Sequence, residues 1–273
     1  MHARLFAAAL FLAAPIPALA ENAAPPSAPA APAAKPAIRA AGPRLVEPHL
    51  HIEKSKDPKR PRVALTFDAC MGQTDKRILY TLLEKRIPAT IFVTARWLKH
   101  NPDTVKVFLA NPDLFELEDH GENHIPAIDY ATTVYGIATA GSPVAVGREV
   151  AGGADAMKAA GIETAPRWFR GATAKYDLSA IREIRAMGYR VAGYSVNGDD
   201  GSLLGAAGVE KRYAAVKDGD VIISHINQPT HAAGDGIAKA ILALKERGVD
   251  FVRLSDVDAT GDFETTTQAK PTL

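Results

Sequence analysis

Two histidines separated by three residues form a pair that could bind a metal ion. His120 and His124 enclose residues 121–123, so one turn of a loop can direct both imidazoles at the same ion. Imidazole nitrogen is a good ligand for zinc and related divalent metals. The pair alone is equally compatible with two solvated loop histidines, so its interpretation depends on the residues that accompany it.

Five polar positions each follow an apolar segment that has the pattern of a buried strand. They are Asp68, His120, Arg170, the turn 197–200 and His225. In (β/α) barrels the active site lies at the carboxyl ends of the strands, where the following loops meet. One polar residue after a strand is usually a helix cap or a solvated loop residue. Five such positions together predict a catalytic site.

The elements that must position these residues alternate between two hydrophobic patterns. A short apolar run at 62–68 is typical of a buried strand, and the segment that Thr74 opens carries Ile78, Leu79 and Leu82 at helical spacing. The same alternation continues along the chain. The predicted strands are 62–68, 89–94, 114–117, 167–170, 189–196, 220–224 and 250–254.

Strands that alternate with helices form a parallel sheet. At this length the sequence predicts an α/β fold, a distorted (β/α) barrel of about seven parallel strands that need not be complete. Residues 123–147 have few helical signals and are expected to form a long loop. Long loops in compact domains are often functional, so this one is a candidate wall of a substrate groove.

The N-terminal residues predict export. Arg4 precedes a short apolar stretch, and residues 1–20 end in Ala-Leu-Ala, which fits a cleavable signal peptide. Residues 21–43 are almost entirely Ala and Pro and predict a linker, which leaves 44–273 as one folded domain. We therefore expect a periplasmic or extracellular protein without stable membrane insertion after cleavage. An uncleaved signal would instead leave a membrane tether.

Charge and cysteine content exclude several classes of protein. The chain has 32 Lys and Arg against 31 Asp and Glu, which gives no electrostatic case for binding nucleic acid or an anionic membrane. Its single cysteine, Cys70, excludes an internal disulfide framework, although export would permit one. Stability must therefore come from a packed core. The sequence does not indicate an oligomeric state.

The order and spacing of these motifs resemble those of a known family. Over residues 62–254 the chain is similar to the NodB-type polysaccharide deacetylases, carbohydrate esterase family four. The matching segments are 66–68, the His120 and His124 pair, 169–170, 194–200 and 222–225. The resemblance implies a (β/α) barrel that uses a divalent metal, with zinc expected, to remove acetyl groups from an acetylated glycan.

The resemblance also implies a role for each matching catalytic residue. Asp68 matches the general base that takes a proton from the attacking water, and His225 matches the general acid that protonates the leaving group. Asp200 matches the carboxylate that holds this histidine. Arg170 matches the arginine of the groove wall, whose guanidinium can fix a nearby carboxylate.

The remaining matches concern the metal and the substrate. His120 and His124 match two metal ligands of the family. Thr173 can supply the backbone N–H that stabilises the oxyanion, and Asn197 stands at the first aspartate of the fourth motif, so both are expected substrate-binding residues. Gly201 replaces a tryptophan of that motif, which indicates an altered sugar site.

One departure from the family concerns the metal site. The family has a second aspartate after the base, which completes the ligand set, and this chain has Ala69 there. Two imidazoles bind a divalent ion weakly compared with three protein ligands. Asp68 could become the ligand and leave the base role to another group. The neighbours that could replace the lost carboxylate are Cys70, Asp75, Asp119 and Glu122.

For Cys70 two interpretations remain open. Its thiolate would suit zinc, but free cysteine is usually buried as a small apolar residue, and we favour that packing role at the barrel mouth. Two other functions also remain. A catalytically silent relative that binds glycan would explain Ala69, although it would not need an acid and a base. His49 and His51 resemble the His-x-His motif of amidohydrolase barrels, but their polar surroundings favour an exposed entry segment.

Overall fold

Strand β2 (Arg62–Ala69) is the longest strand among residues 44–262, which are the residues that the computed structural model describes. All of its residues except the first are buried. A strand of a parallel sheet is covered on both faces, which explains its continuous apolar sequence. The predicted signal peptide 1–20 and linker 21–43 lie outside the described residues, and so does the end of the chain from 263.

Most strands of the described part belong to one parallel sheet. The strands are β1 (Leu50–Ile52), β2, β3 (Ala89–Val93), β4 (Phe115–Asp119), β5 (Thr133–Val134), β6 (Ile137–Ala138), β7 (Trp168–Phe169), β8 (Arg190–Val191), β9 (Val196–Asn197), β10 (Val221–His225), β11 (Asp250–Val252) and β12 (Ala259–Gly261). The sheet has the order β8-β7-β4-β3-β2-β10-β9, and β11 pairs in parallel with the start of β2. β1 and β12 form a separate antiparallel pair, and β5 and β6 form a hairpin.

Helices follow the strands as the alternation predicts. The α-helices of the described part are α1 (Lys76–Glu84), α2 (Ala95–His100), α3 (Pro102–Leu109), α4 (Pro143–Ala159), α5 (Leu178–Ala186), α6 (Ala206–Ala214) and α7 (Ala233–Glu246). Ser142 caps α4 by accepting the N–H of Ala145, and Pro143 takes the first helical position, where its missing N–H costs nothing. None of these helices is long and apolar enough to cross a bilayer.

The parallel sheet forms an open barrel, which confirms the predicted fold class. Its edge strands are β8 and β9, and within residues 44–262 these two strands do not pair with each other. The single strand predicted at 189–196 is interrupted between them. Tyr194 exchanges backbone hydrogen bonds of 3.3 Å with Pro48 and Leu50 of the entry segment. Because Pro48 and Leu50 are distant from Tyr194 along the chain, no local pattern in the sequence predicts these hydrogen bonds.

The two faces of β2 contact different surroundings. Its odd-numbered residues are Val63, Leu65, Phe67 and Ala69. They belong to the main hydrophobic cluster, which also contains residues of α1 and α7. Successive side chains of a strand point to opposite faces, so Ala64 and Asp68 face the inside of the barrel. Ala64 packs there with Phe92 and Trp168. Asp68 is therefore the last inward-facing residue within the strand itself.

The predicted long loop 123–147 contains the β5–β6 hairpin and the beginning of α4. Between the two strands, Tyr135 has a φ of 50° and Gly136 a φ of 79°. Two successive positive φ values are typical of a type I′ turn, which favours Asn-Gly and is strained with a bulky first residue. Tyr135 is also 74% exposed, so packing in the fold does not explain its presence.

Candidate active site

Asp68 and Arg170 form a buried ion pair at the carboxyl end of the sheet. Arg170 Nη1 donates to Asp68 Oδ1 at 2.9 Å, and its other nitrogens donate to the carbonyl oxygens of Ala192 and Gly193. Burial by itself would raise the pKa of Asp68, but the charges of Arg170 and His120 hold that pKa below its ordinary value. Asp68 is therefore a fixed carboxylate anion.

His120 follows β4 and lies beside this ion pair. Its Nδ1 donates to the backbone carbonyl of Arg170, which directs Nε2 toward Asp68 Oδ2 at 3.8 Å and Cys70 Sγ at 3.4 Å. Burial by itself would lower the pKa of His120, but the anions at Asp68 and Cys70 raise it to about 9. A metal at this position would replace the proton on Nε2, because ligating nitrogens must be unprotonated.

His124 is presented by a strained turn that a carboxylate of α4 holds in place. Its φ is 62°, a conformation that side chains other than glycine seldom adopt. Glu149 Oε1 accepts the N–H of Asn123 at 2.9 Å and the N–H of Ile125 at 3.1 Å, one on each side of His124. The ring centres of His120 and His124 are 5.1 Å apart. The structure therefore brings the two predicted histidines together.

Three side chains offer ligand atoms to one metal position. A ring nitrogen of His120, a ring nitrogen of His124 and the Sγ of Cys70 all lie within 4.8 Å of one another. Within residues 44–262 this is the one such group of three or more histidine, cysteine or carboxylate side chains. Burial by itself would raise the pKa of Cys70, but His120 lowers it well below its ordinary value. Imidazole and thiolate donors fit a zinc-like ion.

The other residues considered as replacements for the missing carboxylate have different roles. Asp75 caps α1 and pairs with Arg77. Asp119 accepts the N–H of Gly121 and is buried. Glu122 is exposed to solvent. None of the three belongs to the group of side chains in the described residues that could hold a metal ion.

The His49 and His51 motif lies on a different part of the fold. Strand β1, which contains His51, pairs antiparallel with β12 and does not join the parallel sheet. The His51 side chain is 57% exposed and lies 3.8 Å from Asp220. Both histidines are exposed, but Leu50 and Ile52 of the same segment are buried in a hydrophobic cluster, so the segment is not the wholly exposed one that its polar surroundings predict. Neither histidine belongs to the candidate metal-ligand group of the described residues, so the amidohydrolase alternative has no support.

The carboxylate that contacts His225 is Asp199, whereas the resemblance implies Asp200. Asp199 is fully buried, its Oδ1 lies 3.0 Å from His225 Nδ1, and its Oδ2 accepts the backbone N–H of His225 at 2.7 Å. Asp200 has a φ of 54° and is exposed, because the turn points it away from His225. Burial by itself would lower the pKa of His225, but Asp199 raises it well above its ordinary value. His225 can therefore hold a proton for transfer.

One cavity of about 460 Å³ collects most of the predicted residues. The predicted residues that line it are Asp68, His124, Thr173, Asn197, Asp200 and His225. The other two, His120 and Arg170, are buried and contact Asp68. Residues from separate strand ends thus surround one space large enough for part of a sugar.

Thr173 and Asn197 lie on the wall of this cavity. Thr173 has a φ of 69°, and its Oγ1 is buried without a hydrogen-bond partner among the described residues. Backbone strain of this kind is concentrated at ligand sites, where the surrounding structure maintains it. Asn197 Oδ1 accepts the N–H of Asp200 at 2.8 Å, so Asn197 also stabilises the turn that follows it.

Sequence reasoning missed the apolar side chains at the mouth of the cavity. Tyr135 and Leu203 line it and are 74% and 77% exposed. Lys175 Nζ lies 4.6 Å from the centre of the Tyr135 ring. Exposed apolar side chains beside a cavity are typical of ligand-binding surfaces. The long loop at 123–147 indicated the region of Tyr135, whereas no pattern distinguished Leu203.

The sequence matches a family model. The model described as polysaccharide deacetylase matches residues 55–192, which is about half of the chain. The match includes Asp68, His120, His124 and Arg170, and it ends before His225. No protein of curated function matches the sequence.

Several solved structures share the fold. A CE4 family pseudoenzyme from Bacillus anthracis has a TM-score of 0.59 at 20% identity, covering 74% of this chain and 66% of that one. Peptidoglycan deacetylase PdaC from Bacillus subtilis has a TM-score of 0.58 at 22% identity, covering 73% and 91%. A family 4 carbohydrate esterase from Streptomyces lividans, in complex with acetate, has a TM-score of 0.57 at 18% identity, covering 70% and 91%. At these identities the likeness shows the fold alone.

Proposed function

Because the chain belongs to the polysaccharide deacetylase family, we propose that it is a metal-dependent hydrolase that removes acetyl groups from a polysaccharide or oligosaccharide. The observation that carries the proposal is the grouping of an ionised carboxylate, an oriented imidazole and two metal-binding histidines around one cavity. Such a set provides a general base, a general acid and a place for a Lewis acid.

The first half of the reaction uses the metal-binding histidines and the buried ion pair. His120 and His124 would hold a divalent metal, for which zinc suits the donors, and such a metal would supply Lewis acidity for the attack of water on the acetyl carbonyl. Asp68 accepts a proton from that water. Arg170 keeps Asp68 ionised and fixes its orientation through the 2.9 Å hydrogen bond. The backbone N–H of Thr173 stabilises the carbonyl oxygen as negative charge develops.

The second half of the reaction uses His225. Its Nε2 donates a proton to the departing amine or alkoxide while Nδ1 remains bonded to Asp199. Asp199 stabilises the charged imidazole and prevents it from rotating, the function of the carboxylate in other acid–base pairs. The bond between the acetyl carbon and the glycan nitrogen or oxygen breaks, and acetate leaves.

The proposed substrate is an acetylated glycan that enters from the mouth of the cavity. Tyr135 and Leu203 line the same cavity as Asn197, and each offers an apolar face to a sugar ring. A sugar has apolar faces formed by its C–H groups, and aromatic side chains present a matching surface. The signal peptide proposed at 1–20 would deliver the enzyme to the periplasm or the cell exterior, where such a polymer must be accessible.

Acetate release from a panel of acetylated glycans tests this function. The purified protein is supplied with zinc and assayed on N-acetylated chito-oligomers, peptidoglycan and an O-acetylated xylan. We expect release from at least one substrate and a decrease of about 10²–10⁴-fold in Asp68→Asn, because the general base is lost. Asparagine keeps an oxygen acceptor for Arg170 but removes its counter-charge, so the melting temperature of the variant is measured in parallel to separate lost catalysis from lost folding. Absence of release from the whole panel would contradict the function.

A catalytically silent glycan-binding protein is the second candidate. The observation that favours it is Ala69, which is packed in the hydrophobic core and offers no ligand where the family has a carboxylate. This alternative predicts that metal-loaded protein binds acetylated glycan and releases no acetate. Calorimetry measures glycan binding and the acetate assay measures hydrolysis, so the two measurements on the same panel of substrates separate the two candidates.

A further inference from the structure

Cys70 is the next inward-facing residue after Asp68. Side chains alternate along a strand, and Ala69 between them is packed in the main hydrophobic cluster. Residue 70 therefore turns toward the inside of the barrel. A carboxylate at 69 would enter the core in this backbone, whereas the side chain at 70 reaches His120.

The sulfur of Cys70 lies at ligand spacing from the histidines. Sγ is 3.4 Å from His120 Nε2, and the ligand atoms of all three residues lie within 4.8 Å of one another. Ligands of a tetrahedral zinc ion are roughly 3.3–3.7 Å apart, given bonds of about 2.0–2.3 Å. The distance between Cys70 and His120 falls in this range, and the other two distances are at most 4.8 Å, so the three side chains can serve one ion and leave a fourth position open.

The surroundings of Cys70 do not support a packing role. It is 8% exposed, yet it belongs to none of the three hydrophobic clusters of the described residues. Its sulfur instead faces polar groups, the rings of His120, His124 and His225. It also lines the cavity together with Asp68. The structure therefore favours a thiol directed at the cavity over the apolar packing role that the sequence favoured for Cys70.

We propose that the thiolate of Cys70 is the third protein ligand of the metal, beside His120 and His124, in place of the carboxylate missing at Ala69. The inference rests on the proposed function only in requiring a metal. A sulfur ligand favours zinc and similar ions over magnesium and calcium. Asp68 then remains available as the base, because Arg170 holds its Oδ1.

Cobalt substitution tests this ligand, because thiolate bound to Co²⁺ gives a charge-transfer band in the near ultraviolet. Metal-free wild type, Cys70→Ser and the matched variant Cys70→Asp are titrated with Co²⁺. We expect about one equivalent bound with the band in wild type, in keeping with a single three-ligand site. The band should be absent from both variants, while Cys70→Asp retains the visible bands of a protein-bound ion. Wild type that binds no Co²⁺, or binds it without the band, overturns the proposal.

Affinity gives the magnitude of the effect. Loss of an outer-shell partner usually lowers metal affinity by about 10–100-fold. The zinc affinity of Cys70→Ser should fall by more than this, because a direct ligand is removed. Cys70→Asp should recover part of the loss, because a carboxylate oxygen also binds zinc. Equal zinc affinity in wild type and Cys70→Ser would contradict the assignment.

Thiol alkylation of wild type gives a decisive comparison, with and without zinc, that needs no variant. Cys70 is the single cysteine of the chain, so iodoacetamide labelling reports on this position alone. We expect zinc to slow labelling and His120→Ala to remove the protection; equal rates with and without zinc overturn the proposal. These measurements need no substrate. A zinc-protected thiol without acetate release would contradict the proposed function alone, and an active enzyme with an unprotected thiol would contradict the ligand alone.

Discussion

The adjacent residues Asp199 and Asp200 have opposite environments because of one turn. Asp199 is buried against His225, and the next three residues all have positive φ values, which carry Asp200 into solvent. The motif in the sequence predicts a carboxylate for the acid in this segment. It cannot specify which of two neighbouring carboxylates faces inward, because that depends on the φ values of the turn.

Substitution of each aspartate by asparagine separates their roles. Asp199→Asn should lower kcat for acetate release by about 10²–10⁴-fold, because His225 loses the charge that keeps it protonated and oriented. Asp200→Asn is the matched control, since Asn tolerates the positive φ of Asp200 and the side chain is exposed. It should retain kcat within about threefold and the melting temperature of wild type. The reverse ranking of the two variants would contradict the assignment of Asp199.

For the neighbours Ala69 and Cys70 at the candidate metal site, the sequence likewise cannot specify which of two adjacent side chains faces inward. The sequence shows that the family's aspartate ligand is missing at Ala69, and it leaves open which neighbouring residue replaces that ligand. Strand register decides the outcome, because residue 69 faces the core and residue 70 faces the histidines. Register at a strand end depends on pairing with β3 and β10, which are distant in sequence.

At the scale of elements, helix α4 organises the loop that presents His124. Glu149 bonds to both backbone N–H groups that flank this histidine and so maintains its positive φ. No motif of the sequence indicated Glu149, because it lies 25 residues from His124 and acts only through backbone groups. Such partners orient ligands without touching the metal.

Substitution at Glu149 should therefore change metal affinity without removing a ligand. We expect Glu149→Ala to weaken zinc binding by about 10–100-fold, the usual effect of losing an outer-shell partner. Glu149→Gln is the matched control, because its amide oxygen can accept the same two N–H groups, and it should bind zinc nearly as wild type does. Zinc titration with a competing chelator measures both. Equal losses in the two variants would show that hydrogen bonding to the turn is not the cause.

The β5–β6 hairpin places an aromatic ring at the mouth of the cavity. Tyr135 occupies a turn position that favours asparagine, and it lines the cavity, so we expect its ring to contact the substrate. Tyr135→Asn should leave the melting temperature unchanged or higher and raise KM for a glycan by about 3–10-fold, the magnitude of one aromatic contact. Tyr80→Ala is the control, because Tyr80 is 50% exposed on α1 and does not line the cavity. An unchanged KM in Tyr135→Asn would exclude the ring from the substrate site.

At the scale of the whole molecule, the alternation of strand and helix patterns was sufficient to predict the open barrel. Buried strands such as β2, β3 and β10 carry continuous apolar runs that local reasoning detects. The hairpin within 123–147 and the break between β8 and β9 were not predicted. Both depend on short strands or distant contacts, such as that of Tyr194 with Pro48, which leave little periodicity.

The barrel explains why residues so distant in sequence meet at one cavity. Asp68 and His225 end the paired strands β2 and β10, where they are register partners. His120 and Arg170 follow the paired strands β4 and β7, which extend the same edge of the sheet. The sequence predicted this meeting because parallel strands place their carboxyl ends together. It could not supply the contacts of individual side chains within the cavity.

Metal dependence of acetate release tests the central claim most directly. Wild type is stripped with a chelator, assayed on its best substrate, and assayed again after stepwise addition of zinc, with His124→Ala treated in parallel. We predict that stripping abolishes acetate release and that about one equivalent of zinc per chain restores it in wild type, while His124→Ala recovers little at that concentration. Full activity of the stripped protein, with its metal content verified as negligible, would contradict the account.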